Sequence, residues 1–176
     1  MKIFYTILFG GLLLLMVNSQ LSAQTAAKDN IISESITFKD PPTGADIYGI
    51  FEGRTPCDPV RSQLGATADP DCDHLKWQVI LYHDTLTLAP TVFVLTTELF
   101  DRRPLKGKWE IVKNKKNAAN NLLALYYSPN RKPLYLLKGD DNVLFILSDN
   151  GQMLTGNADF SYTLNRVKKV RQLSNP

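Results

Sequence analysis

The chain has 176 residues, 44% of them hydrophobic, 21% charged and 10% aromatic, which is the balance of a globular domain with its own core. These proportions exclude collagen, coiled coil and intrinsic disorder. Lys and Arg number 20 against 17 Asp and Glu, a formal charge of +3, and so small an excess does not call for a nucleic-acid partner.

Met1 and Lys2 precede an apolar run, Ile3 to Val17, that leaves through Asn18-Ser19-Gln20-Leu21-Ser22-Ala23. A cation, a short apolar run and a small-residue exit make a secretory signal peptide, so residues 1–23 are read as one, cleaved after Ala23. The run falls short of the roughly 20 residues that cross a bilayer, and the chain is expected not to span a membrane. Gln24 stands where a lipoprotein signal places its acylated cysteine, so the mature protein is expected to be unlipidated and either periplasmic or secreted. In such an oxidising compartment a lone pair of cysteines, Cys57 and Cys72, is expected to form a disulfide.

Residues 24–45 lack a clear pattern and end in Asp40-Pro41-Pro42-Thr43-Gly44, where two prolines and a glycine oppose regular structure; they read as a tether or an edge segment. From Asp46 the dominant period is two. Leu75, Trp77, Val79 and Leu81 share one face against Lys76, Gln78 and Tyr82, as expected of a half-buried strand. Trp109 and Ile111 alternate with Lys108 and Glu110, and Phe160, Tyr162 and Leu164 with Ser161, Thr163 and Asn165. Further strands are expected at Ile47 to Glu52, Thr91 to Leu99, Leu122 to Tyr127, Pro133 to Lys138 and Val143 to Leu147. Turn chemistry separates them at Ser128-Pro129-Asn130, Gly139-Asp140-Asp141-Asn142 and Asp149-Asn150-Gly151, while Lys113 to Asn121 reads as a loop. With about eight short strands and no crossover helices, the fold class is all-β, a small antiparallel barrel over residues 46–167. A basic tail, residues 168–176, follows, and the cations from Arg166 to Arg171 read as a solvated strand end.

Chemistry-bearing residues concentrate between Cys57 and His83. Cys57, Cys72, His74 and His83 could form a soft-metal site for copper(I) or zinc, since thiolate and imidazole suit both ions. Fourteen residues lie between the cysteines, far more than within a metal-binding pair, and this favours the disulfide. A metal set of Cys57, Cys72 and His74 is therefore expected only of the reduced form, and no cofactor is expected otherwise. His83 and Asp84 resemble a base with its orienting carboxylate, but neighbours on a strand point to opposite faces. The chain lacks a Gly-x-Ser-x-Gly elbow, a His-Glu-x-x-His helix and a glycine-rich phosphate loop, so no catalytic residue is assigned. Trp77, Trp109, Tyr126 and Tyr162 are possible lining for a cavity, although Trp109, beside Gly107, also suits a structural plug.

The run Tyr48-Gly49-Ile50-Phe51-Glu52-Gly53-Arg54-Thr55-Pro56-Cys57 resembles the opening of the NlpE N-terminal domain family, envelope proteins named for copper resistance. A second cysteine ahead of Leu75-Lys76-Trp77-Gln78-Val79-Ile80-Leu81, then Gly107-Lys108-Trp109 and Val143 to Gly151, extend the likeness over about Ile47 to Leu164. The resemblance implies a small lipocalin-like barrel with a role in surface or metal stress. The family's close Cys-x-x-Cys is missing, and its lipid-accepting cysteine and second domain are not expected here. The expected function is an exported, non-enzymatic binding or envelope stress-response module linked to copper tolerance, with an envelope protein as partner. The alternatives are a carrier of a small apolar ligand and, third, a hydrolase with an unrecognised site.

Overall fold

The computed structural model describes residues 33–34, 42–114 and 121–168. The signal segment, most of the 24–45 tether, the centre of the 113–121 loop and the tail beyond Lys168 lie outside the described residues. A two-residue strand β1 (Ser33–Glu34) comes first. The barrel strands are β2 (Ile47–Thr55), β3 (Leu75–His83), β4 (Pro90–Thr97), β5 (Leu105–Lys113), β6 (Asn121–Tyr126), β7 (Leu134–Lys138), β8 (Val143–Ile146) and β9 (Thr163–Lys168). One helical turn, α1 (Val60–Gln63), interrupts the β2–β3 connection.

Each strand from β2 to β9 pairs antiparallel with the next, and β9 pairs back onto β2 through Phe51↔Arg166 and Glu52↔Asn165, closing an eight-stranded barrel. β1 adds a short parallel pairing at the end of β9, Ser33↔Val167 and Glu34↔Lys168, so part of the expected tether is bound as a strand.

The alternation predicts the inner face well. Phe51, Trp77, Val79, Leu81, Phe93, Leu95, Trp109, Leu125, Leu136 and Leu144 are buried in one cluster. Trp77 lies opposite Gly53 in the β2–β3 register, and its indole N–H donates to Thr55 Oγ1 at 2.8 Å. Trp109 donates its indole N–H to the Tyr82 carbonyl at 2.6 Å. Both heteroatoms are thus satisfied inside an apolar core, as burial of an indole requires. At Gly107 a Cβ would lie 1.9 Å from the Tyr126 carbonyl oxygen, so only glycine allows β5 and β6 to approach this closely beside Trp109.

The outer face departs from expectation in two places. The middle of β3 is buried on both faces: Gln78 and Ile80 are buried like their inward neighbours, though less completely, with Ile50, Ile80 and Val167 forming an outer cluster against which Ile47, Tyr82 and Val94 pack. Alternation underestimates this because Gln78 is neutralised locally, its Nε2 donating to Glu52 Oε1 at 2.7 Å across the register. Ile111 shares the parity of Trp109 yet is 53% exposed, because β5 runs past the packed layer to the barrel rim.

Replacing Trp77 or Trp109 by Ala is expected to cost about 3–5 kcal/mol in denaturant unfolding, the range for a fully buried large aromatic. A loss below about 1 kcal/mol would place the indole at the surface.

Candidate functional site

Successive connections of an antiparallel meander alternate between barrel ends, and the two ends here are built differently. One end receives the connections 56–74, 98–104, 127–133 and 147–162, two of them long; the other receives the short 84–89 and 139–142 turns and the 114–120 connection, most of which lies outside the described residues.

The long-loop end is closed by the β2–β3 connection. Val60 and Leu64 on and after α1 join the core cluster with Cys57, so the turn is a plug with an apolar underside. Cys57 and Cys72 are joined by a disulfide whose Cα atoms lie 6.2 Å apart, and it ties the two ends of this plug together. The Tyr162 hydroxyl donates to the Asp58 carbonyl and that of Tyr127 to the Gln63 carbonyl at 2.8 Å, fastening the plug to β9 and β6. Burial raises the pKa of both phenols, with Asp58 adding to the rise at Tyr162, so both stay protonated donors across the physiological range. In the 98–104 loop Phe100, Asp101 and Arg102 have φ of 57°, 55° and 59°, a left-handed turn that costs on the order of 1 kcal/mol per residue.

His74 lies just beyond the disulfide. Its Nδ1–H donates to Asp73 Oδ2 at 2.7 Å and its ring stacks on Phe160 at 4.8 Å. The Cys72 sulfur lies 3.9 Å from the His74 backbone carbonyl. In the oxidised form Cys57, Cys72 and His74 do not fit copper(I) or zinc: a disulfide offers no thiolate, and one His74 nitrogen is taken by Asp73. Among the described residues no three His, Cys, Asp or Glu side chains gather into a metal-holding group. His83 belongs to the opposite end, where its Nε2–H donates to the Ala45 carbonyl at 3.0 Å.

The aromatic residues expected to line a cavity divide three ways. Trp77 and Trp109 are core side chains, at most 1% exposed, so no roomy lumen adjoins them. Tyr162 is buried as a fastener of the plug. Tyr126 stands on the outer face, 41% exposed, because its parity on β6 is opposite to that of Leu125. It borders two open surface hollows of about 410 and 470 Å³, one with Tyr127, Pro129 and Arg131 and one with Lys108 and Glu110.

The short-loop end holds residues that sequence pattern alone does not single out. A bulge between Ile47 and Gly49 inserts Tyr48, which packs against the core and lies 5.2 Å from the Trp109 ring and 6.3 Å from the His83 ring. Arg166, read from sequence as part of a solvated basic run, spans this rim instead. Its guanidinium lies 4.8 Å from the Phe51 ring centre and 5.7 Å from that of Tyr48, and donates to the Tyr48 carbonyl at 2.8 Å and the Asp141 carbonyl at 2.6 Å. Beside it Lys138 Nζ lies 2.6 Å from Asp141 Oδ1.

The β3–β4 turn, 84–89, is organised by one carboxylate oxygen. Asp84 Oδ1 accepts from the Leu86 N–H at 3.0 Å, the Thr87 N–H at 2.8 Å and the Thr87 hydroxyl at 2.9 Å, while the Leu88 N–H donates to the Asp84 carbonyl at 2.9 Å. These bonds, the Thr87 N–H foremost, hold the Asp84 carboxyl below its ordinary pKa. No family model, no curated protein and no solved structure compared with the chain matches it.

Two outcomes follow for these ends. Cys72→Ser is expected to destabilise the fold by about 3 kcal/mol, the chain-entropy value for a loop of this length, read from unfolding of the two proteins side by side. Because its folded pKa is depressed, Asp84 holds the turn together above the ordinary carboxylate range and releases it as pH falls through that lowered pKa. The Leu86 and Thr87 amide resonances are therefore expected to titrate with a midpoint below 3.8.

Proposed function

We propose that the protein is an exported, non-enzymatic binding module of the cell envelope that acts in the response to surface stress. The observation that carries this reading is the barrel interior, where Trp77, Trp109, Phe51, Phe93, Leu95 and Leu125 each keep at most 1% of their surface accessible to water. An interior packed in this way is a scaffold, and it moves recognition to the outer face and the two rims. The same packing weighs against the carrier reading, which needs a roomy apolar chamber. The disulfide supports an oxidising destination and agrees with the signal-like leader. Two hallmarks of the NlpE N-terminal domain resemblance, the Pro56-Cys57 element and Trp109, lie at opposite ends of the barrel: one begins the plug, the other supports the rim. A link to copper comes from that resemblance alone, and it needs the reduced form, in which Cys57 and Cys72 become thiolates.

Fractionation and intact mass test the address, with a chain beginning at Gln24, free of acyl mass, as the expected result. Metal titration tests the chemistry. The oxidised protein is expected to bind copper(I) or zinc no more tightly than about micromolar, because it presents isolated imidazoles and no thiolate. Reduction is expected to tighten binding, and Cys72→Ser to abolish that gain. Submicromolar binding by the oxidised protein would instead make direct metal sensing the function.

A further inference from the structure

Six large apolar side chains are exposed among the described residues, and four of them, Leu86 (91%), Leu88 (65%), Ile111 (53%) and Val92 (49%), belong to the β3–β4 turn and the adjoining β4 and β5. The last β4–β5 pair is Val92↔Lys108. Continuing that register towards the rim sets Pro90 beside Glu110 and the turn beside Ile111 to Lys113.

The turn is firmly built. Three hydrogen bonds converge on Asp84 Oδ1, the Asp84 N–H donates to the Ala89 carbonyl at 2.9 Å, and Leu88 is held at φ 57°, a conformation in which glycine or asparagine is the ordinary choice. A turn that needed only to reverse the chain would be relieved by a small or polar residue at 86 and 88. This one presents leucine at both positions. The charges around it differ by side: on the β5 side Lys108 and Lys113 are exposed against Glu110, while Asp46 is exposed on the β2 side beside His83, and the carboxylate closest to the leucines, Asp84, is turned onto the turn's own N–H groups.

We infer that the 84–89 turn is a membrane-docking tip, which inserts Leu86 and Leu88 into the interfacial layer of a bilayer containing anionic phospholipid while the β5 lysines meet its headgroups. The leucines project from a convex turn, a shape suited to entering a deformable lipid surface, and apolar insertion combined with a basic flank is the pairing of two weak signals that makes peripheral binding stable. Asp84 keeps the tip rigid, so little conformational freedom is lost on insertion. The inference rests on the binding-module reading only for the choice of an envelope bilayer, since vesicle binding is measured on the purified protein wherever it is exported.

The test is co-sedimentation of the purified protein with vesicles of phosphatidylcholine alone and of phosphatidylcholine mixed with phosphatidylglycerol. Binding to the mixed vesicles, weakened by salt and much weaker on phosphatidylcholine alone, is expected. Leu86→Gln combined with Leu88→Gly is expected to reduce that binding by about tenfold or more, as for the loss of two partly inserted leucines. Because glycine relaxes the left-handed position, the Leu88→Gly variant is expected to melt no lower than the parent, which separates lost insertion from lost folding. Lys108→Gln with Lys113→Gln is expected to flatten the salt dependence. Equal binding by the leucine variant and the parent would overturn the inference. So would absence of vesicle binding, whether the tip then drives self-association in sedimentation velocity, assigning it to a second copy, or the protein stays monomeric.

Discussion

Strand β9 is hydrogen-bonded on both sides, to β8 through Leu144↔Leu164 and to β2 through Glu52↔Asn165, and the rest of the structure depends on that double pairing. Were β9 to pair with β8 alone, the sheet would end in two open edges with unpaired N–H and C=O groups. Closure also fixes the interior. Once β2 and β9 are in register, Phe51 and Leu164 face the same axis as Trp77 and Trp109, and an eight-stranded barrel is narrow enough for such side chains to fill it.

A barrel filled in this way leaves its ends to be closed by other means, and the chain uses two. At the long-loop end a covalent tie and two phenol hydroxyls hold an apolar turn over the core. At the short-loop end the cover, among the described residues, is made of single side chains: Tyr48, turned in by a bulge, and Arg166, whose guanidinium bridges backbone carbonyls from β2 and the β7–β8 turn while lying against two aromatic rings. The first end is sealed. The second keeps its turns free to carry side chains that the fold itself does not need, and the exposed leucines of the 84–89 turn are of that kind.

The same geometry constrains the chemistry of the cysteine and histidine group. Cys72 and His74 are close because they are two residues apart at the end of the plug, and the bond that brings Cys57 and Cys72 together also removes the thiolates that would make them ligands. The two histidines belong to opposite ends of the barrel, since β3 spans its length between them.

Sequence alone determined a good deal of this protein. Period-two alternation placed the barrel strands and the inward positions of Trp77, Trp109 and Leu164, because a pleated strand with one buried face leaves its mark on every second residue. Turn residues marked the hairpins, and the lone pair of cysteines left each one intramolecular partner. Closure of β9 onto β2 was decided only in three dimensions, by pairing between segments more than a hundred residues apart that no local pattern encodes. The bulge at Tyr48, the rim position of Ile111, the outward aim of Tyr126 and the pinned Arg166 were decided there too. Each depends on where a strand stands relative to its neighbours and to the end of the packed layer, and alternation records only which face a residue shares, not how far along the barrel that face remains covered.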